Sequence, residues 1–152
     1  KSFEPSPGCG FTINPIPVPH RDELSDNHAL LIEGSGCNLL FLPDHDSWSE
    51  TLRGSTIRKW LTELNVDIAL LDGTFWDVDE LPHRDLSEIP HPTVRESLEM
   101  LGERKEGDPD IRFLHLNHTN PLCNPSSPEV AELASKGWGL ASEGDSFTLE
   151  RL

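Results

Sequence analysis

Five short apolar segments constrain the fold of this chain more than any other feature of its sequence. FTINPIPV (11–18), HALLIE (28–33) and NLLFLP (38–43) follow one another through short polar loops, which predicts a strand meander. DIALLD (67–72) and IRFLHL (111–116) have the length and bounding turns of buried interior strands, and they alternate with helical patterns. This order predicts the α/β (α+β) class, a mixed sheet with helices on one face.

The helices are predicted from apolar periodicity and from capping residues. Apolar side chains recur at helical spacing over 49–64, and again over 93–105 after Pro92. Ser127 has the position of an N-cap before Pro128, and Gly137 ends that third helix. The tail predicts two edge strands, WGLAS at 138–142 and SFTLERL at 146–152.

Charge and cysteine content narrow the classes of partner and compartment. A formal net charge of −15 over 152 residues disfavours a nucleic-acid backbone or an anionic membrane as the principal partner. No apolar run approaches the roughly 18 residues of a membrane span, and no hydrophobic signal region occurs at the N-terminal end. Three cysteines without a C-x-x-C pattern predict reduced thiols and a cytoplasmic protein.

Metal-capable side chains follow three of the predicted strands. His20 lies in VPHRD, Asp44 in FLPDHD with Asp46 as its rival, and His115 in HLNHTNP with His118 close by. Imidazole nitrogen and carboxylate oxygen suit zinc, manganese or iron, and a carboxylate between two histidine-bearing loops could bridge two ions. The competing interpretation of each histidine is a solvated surface residue.

The remaining histidines have less specific interpretations. His83 and His91 occur in a polar, proline-rich stretch and are interpreted as solvated loop residues. His28 and His45 are intermediate between a solvated residue and a metal ligand.

Asp72 ends an interior strand. It could hold a ligand histidine through that histidine's second ring nitrogen, or cap the turn at Gly73. Trp76, beside this turn, is either a packing residue or the wall of a pocket. Signatures of other enzyme classes are missing, since the chain has no G-x-S-x-G elbow, no phosphate-binding P-loop and no G-x-G-x-x-G.

Six segments, in order, carry a resemblance to a known family. They are PVPHRDELSD, LLFLPDHDSW, ALLDGTFWDVDEL, IPHPTV, RFLHLNHTNPL and GWGLASEGDSFTLE. Over nearly the whole chain they resemble the second half of metallo-β-lactamase superfamily proteins, most closely the branch that serves pyrroloquinoline quinone biosynthesis. The resemblance implies that residues 1–152 are a single domain, the C-terminal half of an αββα sandwich with its metal site at one edge of the sheets.

The resemblance also implies residue roles. His20 corresponds to the family's histidine on the first metal, Asp44 to the aspartate that bridges both metals, and His115 to the last histidine on the second. His118 stands where the branch has asparagine, and it would support the site from behind the ligands or act on the leaving group. Asp44 would also orient the nucleophile.

The function that the resemblance implies is a metal-dependent hydrolase with one or two divalent ions, zinc first and manganese or iron as alternatives. Metal-bound hydroxide would attack an ester, amide or phosphoester of a small-molecule substrate. The family signature H-x-H-x-D-H does not occur in these residues. We therefore expect the N-terminal half of the same fold, a second subunit or self-association into a homo-oligomer to complete the site. The alternatives are a non-catalytic metallo-β-lactamase-like binding domain and a redox metalloenzyme of quinone cofactor biosynthesis.

Overall fold

A computed structural model of the chain describes residues 1–21, 23–24, 26–80 and 90–150, which contain six strands and four α-helices. In chain order they are β1 (Phe11–Pro17), β2 (His28–Gly34), β3 (Asn38–Leu42), α1 (Trp48–Leu52), α2 (Ile57–Glu63), β4 (Ile68–Asp72), α3 (Val94–Leu101), β5 (Asp110–Leu114), α4 (Pro128–Ser135) and β6 (Gly139–Leu140).

The strands form one mixed sheet in the order β1-β2-β3-β4-β5-β6. The first three pair antiparallel, which confirms the predicted meander. From β3 onward the pairing is parallel, because each return to the sheet passes through a connection that carries at least one helix. The prediction of a mixed α/β sheet with helices is confirmed.

The core lies between one face of the sheet and the helices. Alternate residues of the central strands are buried on this face, namely Ala29, Leu31, Leu40, Leu42, Ala69, Leu71, Ile111 and Phe113. The buried side chains of all four helices, such as Trp48 and Leu133, belong to the same cluster. Trp76 is buried there too, in agreement with its interpretation as a packing residue.

The stretch 49–64 forms two helices rather than the single helix predicted. Arg53 caps α1 in the left-handed conformation with φ of 49°, and Gly54 follows at φ of 88°. Thr56 then starts α2, where its side chain accepts a hydrogen bond from the Lys59 backbone N–H. The apolar spacing hid this break, because the residues on both sides of it are buried. Likewise α3 stops at Leu101, before the predicted end at 105.

The C-terminal tail does not form the second predicted edge strand. Residues 146–150 carry no strand, and 151–152 lie outside the described residues. The Leu149 carbonyl instead accepts hydrogen bonds from the backbone N–H groups of Gly36 and Cys37, at 3.0 and 3.2 Å. The Arg112 guanidinium lies 5.2 Å from the centre of the Phe147 ring. The tail therefore joins β5 to the turn between β2 and β3.

Two expectations from composition concern thiols and membranes. Cys9, Cys37 and Cys123 are all free, as the cysteine spacing predicts. Within the described ranges, every helix is too short or too polar to cross a bilayer.

Candidate metal centre

Four polar side chains meet at the edge of the sheet where β1, β3, β4 and β5 end. These strands run in the same direction, so their carboxyl ends lie together. His20 and Asp44 come from the loops after β1 and β3, Asp72 is the last residue of β4, and His115 directly follows β5. The predicted site residues His20, Asp44 and His115 are thus brought together.

Asp44 is at the centre of this group. Its Oδ1 lies 3.7 Å from His20 Nε2, 3.7 Å from His91 Nδ1 and 3.6 Å from His115 Nδ1. The carboxylate is about one-third exposed, and the Asp44 backbone carbonyl accepts a hydrogen bond from Asn27 Nδ2 at 2.8 Å. A single carboxylate oxygen is therefore shared among three imidazoles.

Each of the three histidines has its Nδ1 beside a different polar side chain. The pairs are His20 with Asp46 at 3.1 Å, His91 with Asp72 at 2.7 Å, and His115 with Thr74 at 3.0 Å. Partners of this kind fix the orientation and tautomer of an imidazole that binds a metal through its other nitrogen.

Asp46, the sequence-based rival of Asp44, is placed behind His20. Its Oδ1 accepts from the Arg21 backbone N–H at 3.3 Å in addition to its contact with the ring. The geometry therefore favours Asp44 over Asp46 as the carboxylate that faces the other histidines.

Asp72 has no exposed surface. Its Oδ1 accepts from the backbone N–H and the hydroxyl of Thr74, at 3.0 and 2.8 Å. Its Oδ2 accepts from His91 and from the His45 backbone N–H. Asp72 thus plays both roles that the sequence left open, since it caps the turn after β4 and orients an imidazole.

His91 corrects the sequence interpretation, which treated it as a solvated loop residue. Its side chain is only 10% exposed and belongs to the cluster around Asp44. Burial lowers the pKa of the imidazole, but the hydrogen bond and charge of Asp72, with further nearby carboxylates, raise it above its ordinary value. The available signal was its place between two prolines, two residues before the helix N-cap Thr93.

Backbone constraints set the direction of His115. The residue adopts φ of 62°, an uncommon conformation for a side chain larger than glycine. Gly73, directly after β4, donates its N–H to the Leu114 carbonyl at 2.9 Å, and a Cβ at Gly73 would lie 2.9 Å from that oxygen. The close approach of β4 and β5 here holds Thr74 against His115.

His45 is a neutral packing residue rather than a further donor. It is fully buried against Trp48, and its Nδ1 lies 2.9 Å from Thr51 Oγ1. Burial lowers its pKa to about 4. The sequence left this histidine between a surface role and a metal role, and the structure gives it neither.

The other histidines are not brought into the centre. The metal-capable clusters found in the described part of the chain leave out His118, which is exposed, and His28. His83 lies outside the described residues.

The donor set fits a divalent ion. One cluster contains His20, Asp44 and His91, the other Asp72, His91 and His115, with donor atoms within 4.8 Å of one another in each. Two ligands at about 2.0–2.1 Å from one tetrahedral ion are about 3.4 Å apart, close to the 3.7 Å between Asp44 Oδ1 and His20 Nε2. Because both oxygens of Asp72 already accept protein hydrogen bonds, we assign it to orientation rather than ligation.

The chain matches one family model and is similar to several proteins that share one name. The model of the Beta-lactamase superfamily domain matches residues 1–108, a segment that includes His20, Asp44 and His91. The coenzyme PQQ synthesis protein B of Pseudomonas syringae is 34% identical over 142 residues, covering 86% of this chain and 44% of that protein. The corresponding protein of Methylobacterium radiotolerans is 28% identical over 166 residues, covering 97% and 52%.

A solved structure shares the fold. The crystal structure of Zn²⁺-bound PqqB from Methylobacterium extorquens superimposes with a TM-score of 0.68 at 24% identity, covering 98% of this chain and 50% of that one. The chain spans about half the length of the curated relatives that it matches. It belongs to the metallo-β-lactamase superfamily and is similar to coenzyme PQQ synthesis protein B.

Proposed function

We propose that this superfamily member is the metal-binding part of a metal-dependent hydrolase, with His20, Asp44, His91 and His115 holding one or two divalent ions. The observation that carries the proposal is the pair of overlapping clusters, His20 with Asp44 and His91 and Asp72 with His91 and His115, in each of which one possible ligand atom per residue lies within 4.8 Å of the others. Nitrogen and oxygen donors in this number suit zinc, with manganese or iron as alternatives.

Two carboxylates that contact the histidines from outside the proposed ligand set orient those histidines for a cation. Asp46 and Asp72 each accept from the Nδ1 of a histidine, which favours Nε2 as the metal-binding nitrogen. Their negative charges add to that of Asp44, so the field at this edge of the sheet attracts cations. The excess of acidic residues, 27 against 12 basic ones, acts in the same direction.

A bound divalent ion would supply Lewis acidity and a water of lowered pKa for attack on an ester, amide or phosphoester. Within the chain, Asp44 is the carboxylate that would accept a hydrogen bond from the attacking water. His118 is exposed on the loop after β5, where an imidazole could donate a proton to the leaving group of a small-molecule substrate.

The comparisons support a place for this reaction in coenzyme PQQ synthesis, as the names of the relatives indicate. Because the chain covers about half of those proteins, we propose that further donors come from the N-terminal half of the same fold or from a second subunit.

The proposal is tested by metal binding. Full-length protein would be stripped with a chelator and titrated with Zn²⁺ by calorimetry, with elemental analysis of the product. We expect one or two ions per chain, and a site in Asp44→Asn that is weakened by at least about the tenfold that loss of a ligand-orienting partner costs, because a ligand itself is lost. Asp79→Asn, an exposed aspartate of the turn Val78–Glu80, is the matched control and should titrate like the wild type. Mn²⁺ and Fe²⁺ would be titrated in the same way, and failure of the wild-type protein to bind any of the three ions would refute the proposal.

A redox role in quinone cofactor synthesis is the second candidate, favoured by the names of the relatives. Histidine and carboxylate donors also suit non-haem iron. Oxygen uptake that depends on added Fe²⁺ and is absent with Zn²⁺ would favour this candidate, whereas ester or phosphoester cleavage with Zn²⁺ would favour hydrolysis.

A further inference from the structure

Thr74 occupies a position between the buried carboxylate and the exposed histidine of the centre. Its side chain is buried, with 8% of the residue exposed. Its hydroxyl oxygen lies 2.8 Å from Asp72 Oδ1, 3.0 Å from His115 Nδ1 and 3.3 Å from His91 Nδ1. Neither the sequence pattern nor the family resemblance assigns this residue a role.

The proton count decides which atom donates in each contact. A threonine hydroxyl has one hydrogen, and an ionised carboxylate can only accept. The Thr74 hydrogen therefore points to Asp72, and the oxygen lone pairs face the two imidazoles. His91 has a shorter contact of its own with Asp72, at 2.7 Å. The remaining acceptor capacity of Thr74 thus serves the Nδ1–H of His115.

The backbone around Thr74 keeps the hydroxyl in place. Its carbonyl accepts from the Asn117 N–H at 2.9 Å, so the loop that follows His115 is tied to the same residue. Asn120, only 2% exposed, donates through Nδ2 to the Gly73 carbonyl at 2.8 Å. The Thr74 N–H donates to Asp72 Oδ1 at 3.0 Å. A hydroxyl fixed on both sides in this way sets the tautomer of its neighbour instead of adjusting to it.

We infer that Thr74 is a positioning residue that holds His115 as the Nδ1–H tautomer and thereby commits His115 Nε2 to a divalent cation. Asp72 then orients two histidines, His91 through a direct hydrogen bond and His115 through the Thr74 hydroxyl. The tautomer part of this inference stands on the hydrogen bonds alone, and the commitment to a cation rests on the proposed metal function.

The first test reads the tautomer without any metal. In metal-free, full-length protein labelled with ¹⁵N-histidine, long-range ¹H–¹⁵N spectra above the titration range of histidine report which ring nitrogen carries the proton. The His115 signal is assigned by its loss in His115→Gln. We expect Nδ1–H in the wild type and in Thr74→Ser, and a shift toward Nε2–H in Thr74→Val, which has the same shape without the hydroxyl. Nε2–H in the wild type would overturn the inference without any variant, as would an unchanged tautomer in Thr74→Val.

The second test measures the dissociation constant for Zn²⁺ by competition with a chromophoric chelator. Removing a group that orients a ligand histidine weakens metal affinity by about 10–100-fold, and we expect this loss in Thr74→Val. Thr74→Ser should restore the affinity. The matched control is Thr51→Val, which removes a hydroxyl from His45, a histidine outside the metal-capable clusters, and should leave the affinity unchanged.

The two tests separate the two proposals. A shifted tautomer in Thr74→Val with unchanged zinc affinity would overturn the commitment of His115 to the cation. A wild-type protein that binds no metal but shows the expected tautomers would overturn the proposed function and leave Thr74 as the positioning residue of His115.

Discussion

The Nδ1 of His91 lies 2.7 Å from Oδ2 of Asp72, a carboxylate with no exposed surface. This contact joins the end of β4 to the segment directly before α3, so it connects two parts of the fold as well as two groups of the centre. A buried carboxylate is costly unless all its acceptor positions are used, and here four donors use them. Asp72 therefore contributes to stability and to the arrangement of the donors at once.

We expect Asp72→Asn to separate these contributions. The amide keeps the size of the side chain but removes its charge and one acceptor, so His91 loses the partner that orients it. Zinc affinity should fall about 10–100-fold, and the free energy of unfolding by about 1–3 kcal/mol. Chelator competition and urea denaturation measure the two effects.

The matched control is Asp67→Asn, just before the first residue of the same strand. There a carboxylate oxygen accepts from the Asn38 backbone N–H at 2.8 Å, far from the donors. This variant should lose stability without losing zinc affinity. Equal zinc affinities for Asp72→Asn and the wild type would contradict the orienting role.

Replacement of His118 should affect turnover but not metal binding. If the imidazole protonates the leaving group, His118→Asn should lower kcat by about 10²-fold or more for esters with poor leaving groups, and much less for nitrophenyl esters, which need no proton. The zinc dissociation constant should be unchanged. His28→Asn is the control, since His28 is also exposed and outside the clusters. A parallel loss of zinc binding in His118→Asn would instead make His118 a ligand.

Gly73→Ala tests the close approach of β4 and β5. A methyl group there would lie 2.9 Å from both the Leu114 carbonyl oxygen and the Phe113 Cβ, so the strands must separate. We expect a loss of about 1–3 kcal/mol in unfolding free energy, together with weaker zinc binding because Thr74 moves with Gly73. Gly139→Ala, where the nearest atom would be 3.6 Å away, should stay close to the wild type in urea denaturation. An unchanged midpoint for Gly73→Ala would show that the contact relaxes freely.

The ion pair between Arg58 and Asp108 should make part of the free energy of unfolding sensitive to acid. The Arg58 guanidinium donates to both of its oxygens, at 2.9–3.1 Å, and this hydrogen bonding holds the pKa of the carboxyl below its ordinary value. A depressed pKa stabilises the fold at pH values above the unfolded pKa of about 3.9, and that stabilisation is lost as the pH falls through the lower folded value. Asp108→Asn should therefore be less stable than the wild type by about 1–3 kcal/mol at pH 7.

The difference between Asp108→Asn and the wild type should shrink below about pH 4, as measured by urea denaturation across that range. Glu63→Gln is the control, because the Glu63–Lys59 pair is exposed on both sides and contributes less than about 1 kcal/mol. A difference that stays constant down to pH 2 would mean that packing, not charge, is responsible.

The parts of the fold that sequence patterns predicted are those controlled by local composition. Strand lengths, the meander and the N-cap at Ser127 follow from periodicity and from residues with one strong conformational preference. The break between α1 and α2 did not, because a left-handed Arg53 before Gly54 costs little and leaves the apolar spacing intact. The tail was also missed, since its contacts with Gly36 and Cys37 depend on residues more than 100 positions away.

The residues of the metal centre also differ in whether the sequence could predict them. His20, Asp44 and His115 could be proposed because each follows an apolar strand, and strand ends meet at one edge. Their role as metal ligands remains a prediction. His91 was missed because no strand precedes it, and its burial and its contact with Asp72 become visible only in the folded structure. Thr74 has no sequence signal, because a hydroxyl becomes a positioning group only through its neighbours.

The wide separation of the donors along the chain has a consequence for folding kinetics. The meander of β1 to β3 unites only His20 and Asp44, whereas His91 and His115 arrive after β4 and β5 have paired across long loops. Such non-local pairing is slow compared with hairpin formation. A chain halted after the meander would bind a cation weakly, and tight capture would begin only when the parallel half is complete. The appearance of tight metal binding during refolding would therefore time the final step of sheet assembly.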